Sequence, residues 1–155
     1  MVDTELWSLA KKKPLHEKFS TQAEFERAVS LHLKAREFFE REFPRLRVYI
    51  SLHQLAEIYH VLAFRGHRVP PGQALTVISG ILEDPTIVKV PVSAEHVHQA
   101  IRESARTGIH VWDFLCFLPV KGFVDAIYSA DRHFEVIGNR YGVDFINPVG
   151  EWLGP

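Results

Sequence analysis

Apolar and polar positions change period several times along the chain, and each change marks an element. From Thr21 onward, Phe25, Ala28, Val29, Ala35, Phe38, Phe39 and Phe43 recur at helical spacing. Thr21 and Glu24 form a capping-box start for that helix, and Pro44 ends it. Arg47–Ile50 then reads as a short strand. It leads into Ser51, an N-cap with Gln54 three residues on, and the helix LHQLAEIYHVLAFRG closes at Gly66. Its apolar side is Leu52, Leu55, Tyr59, Leu62 and Ala63.

Pro70-Pro71-Gly72 restarts the chain into a helix carrying Leu75, Ile78, Ile81 and Leu82. Asp84-Pro85 is a turn and Thr86–Val90 a strand. Ser93 caps a helix to about Arg106, with Val97, Ile101 and Ala105 on one side. The apolar run Phe114–Leu118 is long enough for a short helix. Phe123–Tyr128 reads as a strand, Arg132–Arg140 as a helix closed by Gly142, and Val143–Ile146 as a last short strand. Met1-Val2-Asp3 reads as the tail of a strand, with only two residues before the acid, and Lys11–Pro14 breaks any early helix.

Short connections between alternating strands and helices predict an α/β fold. The expected form is a three-layer α/β/α sandwich with a five-stranded parallel sheet, folded as a single domain over residues 1–155. A chain of this length buries a real core without a second domain. The net charge of −1 gives no overall pull on a polyanion, so nucleic-acid binding has to come from local patches such as Lys11-Lys12-Lys13, which ordinarily are solvated surface. The lone Cys116 lies in an apolar run, which excludes a disulfide framework and reads as packing. No charged-then-apolar leader and no long apolar span is visible, so a soluble, cytoplasmic protein without membrane contact is expected.

Four acids stand where hydrophobic patterning alone would not put them. Asp131 follows a strand and opens a helix, Asp113 precedes the apolar run, Glu57 lies among apolar residues of its helix, and Asp3 follows the first extended residues. Three of them have an ordinary reading: a helix cap for Asp131 and Asp113, a solvent-facing Glu for Glu57. The carboxyl edge of a parallel sheet is also where ligands bind. Carboxylates gathered there cannot all stay ionised without a cation, and an all-oxygen donor set suits Mg²⁺ or Mn²⁺.

The blocks VDTELW, SLHQLAEIYHVL, VWDFL and VDAIYSADRHFEVIG, with INP near the end, resemble the successive blocks of a PIN domain from about residue 2 to residue 148. Ser129, Asp131 and Phe134 match the most specific of them. Glu5 departs from the pattern, standing where the family usually has a short polar residue such as Asn, and the first strand is curtailed. The resemblance implies a Mg²⁺- or Mn²⁺-dependent endoribonuclease with Asp3, Glu57, Asp113 and Asp131 as catalytic and metal-holding acids. Ser129 would support them by bonding a carboxylate or water. In-line hydrolysis of RNA would leave a 5'-phosphate and a 3'-hydroxyl. It further implies a toxin of a toxin-antitoxin pair, similar to the VapC group, with an antitoxin partner and a homodimer.

Two rivals stand beside this reading. A PIN-like chain can keep the fold as a catalytically inactive scaffold binding RNA or protein. The Glu-x-x-His spacings Glu57/His60 and Glu95/His98 would suit a di-iron helical bundle, which the strand-like runs oppose. Trp112 and Tyr128 could stack on RNA bases, although aromatics beside apolar runs are more often core. Asp125, alternating with apolar neighbours, reads as an exposed or edge position.

Overall fold

A computed structural model of the chain describes residues 1–153. Seven α-helices and four short strands alternate along it: α1 (Thr4–Lys11), α2 (Gln22–Arg41), β1 (Val48–Ser51), α3 (Leu52–Phe64), α4 (Pro71–Glu83), β2 (Ile87–Val90), α5 (Ala94–Thr107), α6 (Val111–Phe117), β3 (Ala126–Tyr128), α7 (Arg132–Tyr141) and β4 (Asp144–Ile146). The capping signals do what their chemistry suggests. Thr21 and Glu24 exchange both bonds of a capping box, and Ser93 accepts from the His96 amide. Gly142 ends α7 in the left-handed conformation, at φ 68°, which a Cβ would strain. None of the described helices is long and apolar enough to cross a membrane.

The expected five-stranded sheet is not what the backbone forms. β1 pairs with β2 and β3 with β4, both parallel, in two separate two-stranded sheets. The N-terminal residues between them form one parallel bridge, Val2 with Tyr128. The reason lies in how little extended chain is available there. Helix α1 begins at Thr4, so Met1–Asp3 can exchange bonds with β3 but carries too few groups for a second ladder. Gln54 supplies the missing link from α3, donating from Nε2 to the Val2 carbonyl at 2.7 Å. Its backbone amide takes the Ser51 cap at 3.0 Å, so the capping box read from Ser51 and Gln54 forms only by half.

Strand alternation divides the interior into two cores. Val48 and Ile50 pack with Val2, Leu6, Ala35, Phe38 and Ile58, whereas Tyr49 packs on the far side. There Ile127 joins Phe114, Phe117, Phe134 and Ile137. Helices α1–α4 therefore lie over one face of the strands and α5–α7 over the other. Gly138 lets α7 close onto β4, since a Cβ there would stand 2.8 Å from the Val143 carbonyl oxygen.

Two helices turn differently from the sequence expectation. Leu75 and Leu82 on α4, and Val97 and Ile101 on α5, are exposed, while Ala74, Ile81, Ala100 and Glu103 are buried. Leu52 of α3 is also exposed, and Gln54 is buried instead. The inward faces therefore centre on Ala74 with Ile81 and on Ala100 with Glu103.

Candidate functional site: an acidic cleft at the strand ends

All four acids singled out in the sequence line one cleft of about 340 Å³, together with Thr4, Glu5, Ser8, Lys12 and Arg65. They arrive from separate parts of the chain. Asp3 occupies the N-cap position of α1 and Asp131 that of α7, so both stand at the positive ends of helix dipoles. Glu57 comes from the second turn of α3, and Asp113 from the first turn of α6.

Asp3 makes no side-chain cap bond, despite its position. Its carboxylate accepts instead from Ser129 Oγ at 2.7 Å, and the same hydroxyl accepts the Asp131 amide at 2.9 Å. Ser129 thus ties two of the acids together, from a fully buried place at the end of β3. Asp131 is a true cap, accepting the His133 amide on Oδ1 at 2.8 Å, so its ordinary role and its place in the cleft coexist. Asp113 does not cap α6; its Oδ2 meets His133 Nδ1 at 3.0 Å. Glu57 Oε2 accepts from Thr4 Oγ1 at 2.9 Å and from the Cys116 thiol at 3.2 Å.

The electrostatics oppose ionising all of these carboxyls at once. Burial pushes the Asp3 carboxyl well above the usual range; the charges of Glu5, Glu57 and Asp113 add to that, against the Ser129 bond. Asp113 is raised to about 6, first by burial and next by the charge of Asp131, with His133 opposing. Glu5 reaches the cleft from the surface and is raised by partial burial and by Asp131. The donors facing the cleft are carboxylate oxygens, which fits a hard divalent ion. Of the four acids, Asp113 and Asp131 fall with His133 into one group whose ligand atoms lie within 4.8 Å of one another, Glu57 falls into another with His53 and Cys116, and Asp3 is in neither.

Several residues of the cleft escaped the sequence reading. His133 Nδ1 stands between the Asp113 and Asp131 carboxylates, at 3.0 and 3.8 Å, and its signal was the Asp-x-His spacing at a helix start. Lys12 is not simply solvated surface: its Nζ donates to the Val61 and Arg65 carbonyls at 2.6 and 2.7 Å, at the end of α3. Burial and then Arg65 lower its pKa. Thr4 had no local signal at all. Trp112, by contrast, is half exposed and stacks on His53 at a centroid distance of 5.3 Å, beside the cleft. Asp125 is exposed. Neither Glu-x-x-His pair contributes its His to a group of three possible ligands among the described residues; Glu57 is grouped with His53 and Cys116 instead.

The fold has a solved counterpart. The crystal structure of Mycobacterium tuberculosis VapC20, described as a sarcin-ricin loop cleaving toxin, matches with a TM-score of 0.61 at 20% identity, over 88% of this chain and 93% of that chain. No family model matches the chain. No curated relative matches it either. At that identity the likeness establishes the fold alone, an α/β architecture similar to that of VapC20.

Proposed function

We propose that this chain, built on a VapC-like PIN-domain fold, is a Mg²⁺- or Mn²⁺-dependent endoribonuclease and the toxin of a toxin-antitoxin pair, acting in the cytoplasm. One observation carries the proposal: four carboxylates from distant parts of the chain line a single cleft, and two of them, Asp3 and Asp113, are driven upward in pKa by burial and by neighbouring acids. Such a cluster is unfavourable unless a cation or protons neutralise it. The fold's counterpart in VapC20, a toxin that cleaves RNA, supports the substrate class.

Asp3, Glu57, Asp113 and Asp131 would hold the ion, directly or through water. When bound, it neutralises charge on the phosphoryl oxygens and makes water a better nucleophile. Asp131, fixed by its cap bond, completes the site and orients the attacking water in line with the leaving 3'-oxygen. Ser129 holds Asp3 in position, and His133 does the same for Asp113. Lys12 and Arg65 line the same cleft and would supply its positive charge toward a phosphate, and Trp112 offers an aromatic face to a neighbouring base. The expected partners are RNA, an antitoxin protein and a second copy of the chain. Exposed apolar residues on α4 and α5 supply surface for protein contact, and a solution mass twice 17.8 kDa would support the homodimer.

The test is cleavage of a structured RNA with Mn²⁺ present or chelated, with end-group analysis. Metal-dependent cuts bearing 5'-phosphates, abolished by Asp113→Asn, are expected. Cleavage that persists unchanged in Asp113→Asn would overturn the mechanism. No rise in melting temperature at millimolar Mg²⁺ or Mn²⁺ would favour the scaffold reading over the enzyme.

A further inference from the structure

The Glu57 carboxylate has a second environment, on the side away from Asp3. On α3, His53 precedes Glu57 by four residues, so the two side chains share a helix face. Helix α6 packs against that face with Trp112 over the His53 ring and Cys116 against Glu57, the thiol lying 3.2 Å from Oε2. One ligand atom each from His53, Glu57 and Cys116 falls within 4.8 Å of the other two.

His53 adds a separate observation. Its Nε2 is buried and has no hydrogen-bond partner, which is uncommon for an imidazole nitrogen shut away from water. Nothing among the described residues satisfies that nitrogen, although Glu57 and Cys116 are close by. A bound ion would.

We infer that His53, Glu57 and Cys116 form a transition-metal site for Zn²⁺, distinct in chemistry from the acidic cleft but sharing Glu57 with it. The donor types select the ion: imidazole and thiolate favour Zn²⁺ and its congeners, whereas the all-carboxylate side favours Mg²⁺ or Mn²⁺. Ligand atoms around a tetrahedral zinc stand roughly 3.3–3.8 Å apart, so closing the trio needs side-chain shifts of about 1 Å. The thiol proton leaves to solvent as sulfur binds. The approach is the cavity of about 430 Å³ lined by His53, Glu57, His60, Arg65 and Trp112, which leaves a fourth position for water.

In the sequence Cys116 reads as packing, because nothing local to the apolar run reveals the two partners on α3. The consequence is regulatory. Zinc that draws Glu57 toward Cys116 withdraws one carboxylate from the hard-cation cleft, and the two ions compete for the same side chain.

Cobalt(II) reads the site without RNA and so independently of the ribonuclease proposal. Metal-stripped full chain titrated with Co²⁺ should develop a sulfur-to-cobalt charge-transfer band saturating at one ion per chain, which Zn²⁺ erases. Cys116→Ala should lose the band while keeping its circular dichroism spectrum. His53→Gln should keep the band but weaken Co²⁺ binding at least about tenfold. A folded wild-type chain with no such band, a band surviving in Cys116→Ala, or equal affinity in His53→Gln would each overturn the site. Stoichiometric Zn²⁺ should also abolish the Mn²⁺-induced rise in melting temperature in the wild type and not in Cys116→Ala. The same loss in both chains would overturn the competition through Glu57.

Discussion

Replacing Asp113 by Asn removes a carboxylate that the fold makes costly to ionise, and the size of the effect can be worked through. The group sits at about 6 against an ordinary 3.8, and its side chain is mostly buried. Roughly two pH units at about 1.36 kcal/mol each make its charged form about 3 kcal/mol less favourable in the folded chain than in the unfolded one. A folded-state pKa above the unfolded value means that the native state holds the proton longer. Stability from this group is therefore fully present below about pH 4, declines as pH rises, and is lost above about 6. Asn carries no charge at any pH. In chelator at pH 7.5, Asp113→Asn should accordingly be more stable than wild type by about 1–3 kcal/mol, the lower value allowing for a weakened bond to His133. For a chain of this size that is roughly 3–9 °C in melting temperature. At pH 5 the gain should fall to about half, because the wild-type carboxyl is then largely protonated. Millimolar Mn²⁺ should raise the wild type and leave the variant nearly unmoved. Scanning calorimetry of both chains at the two pH values, with and without metal, makes the comparison. A variant less stable than wild type at pH 7.5 in chelator, or a gain independent of pH, would refute the electrostatic argument.

Other substitutions test other links. Ser129→Ala removes the one hydroxyl bonded to the buried Asp3 carboxylate. It should cost about 1–3 kcal/mol by urea denaturation and weaken Mn²⁺ binding by calorimetry; unchanged metal affinity would sever Ser129 from the site. Gly138→Ala brings a Cβ within 2.8 Å of a backbone oxygen that cannot swing away. The urea midpoint should drop by an amount equivalent to about 1–3 kcal/mol, and an unchanged midpoint would mean that the α7–β4 contact is looser than described. Lys12→Met strips two charged hydrogen bonds from the carbonyl end of α3. A loss of about 1–2 kcal/mol in thermal unfolding is expected, and a neutral result would show that water replaces the ammonium there.

What the chain's own pattern determined was local. Helix starts at Thr21, Ser51, Ser93 and Asp131, the helix stop at Gly142, and the four short extended runs all follow from capping chemistry and side-chain period, which act over a few residues. The four acids were legible for a related reason: each interrupts a local pattern, and the resemblance of the surrounding blocks named them together. Only the tertiary structure decided how these pieces meet. Ser129 and Asp3 bond across 126 positions of sequence, and Glu57 meets Thr4 across 53 and Cys116 across 59. No periodicity carries such information, so His133, Thr4, Lys12 and His53 could not be assigned their partners beforehand. The split of the expected sheet has the same origin, since whether Met1–Asp3 completes a ladder depends on groups offered by β1 and β3 at once. So does the outward turn of Leu75 and Ile101, since which helix face meets the core is set by the elements packed against it.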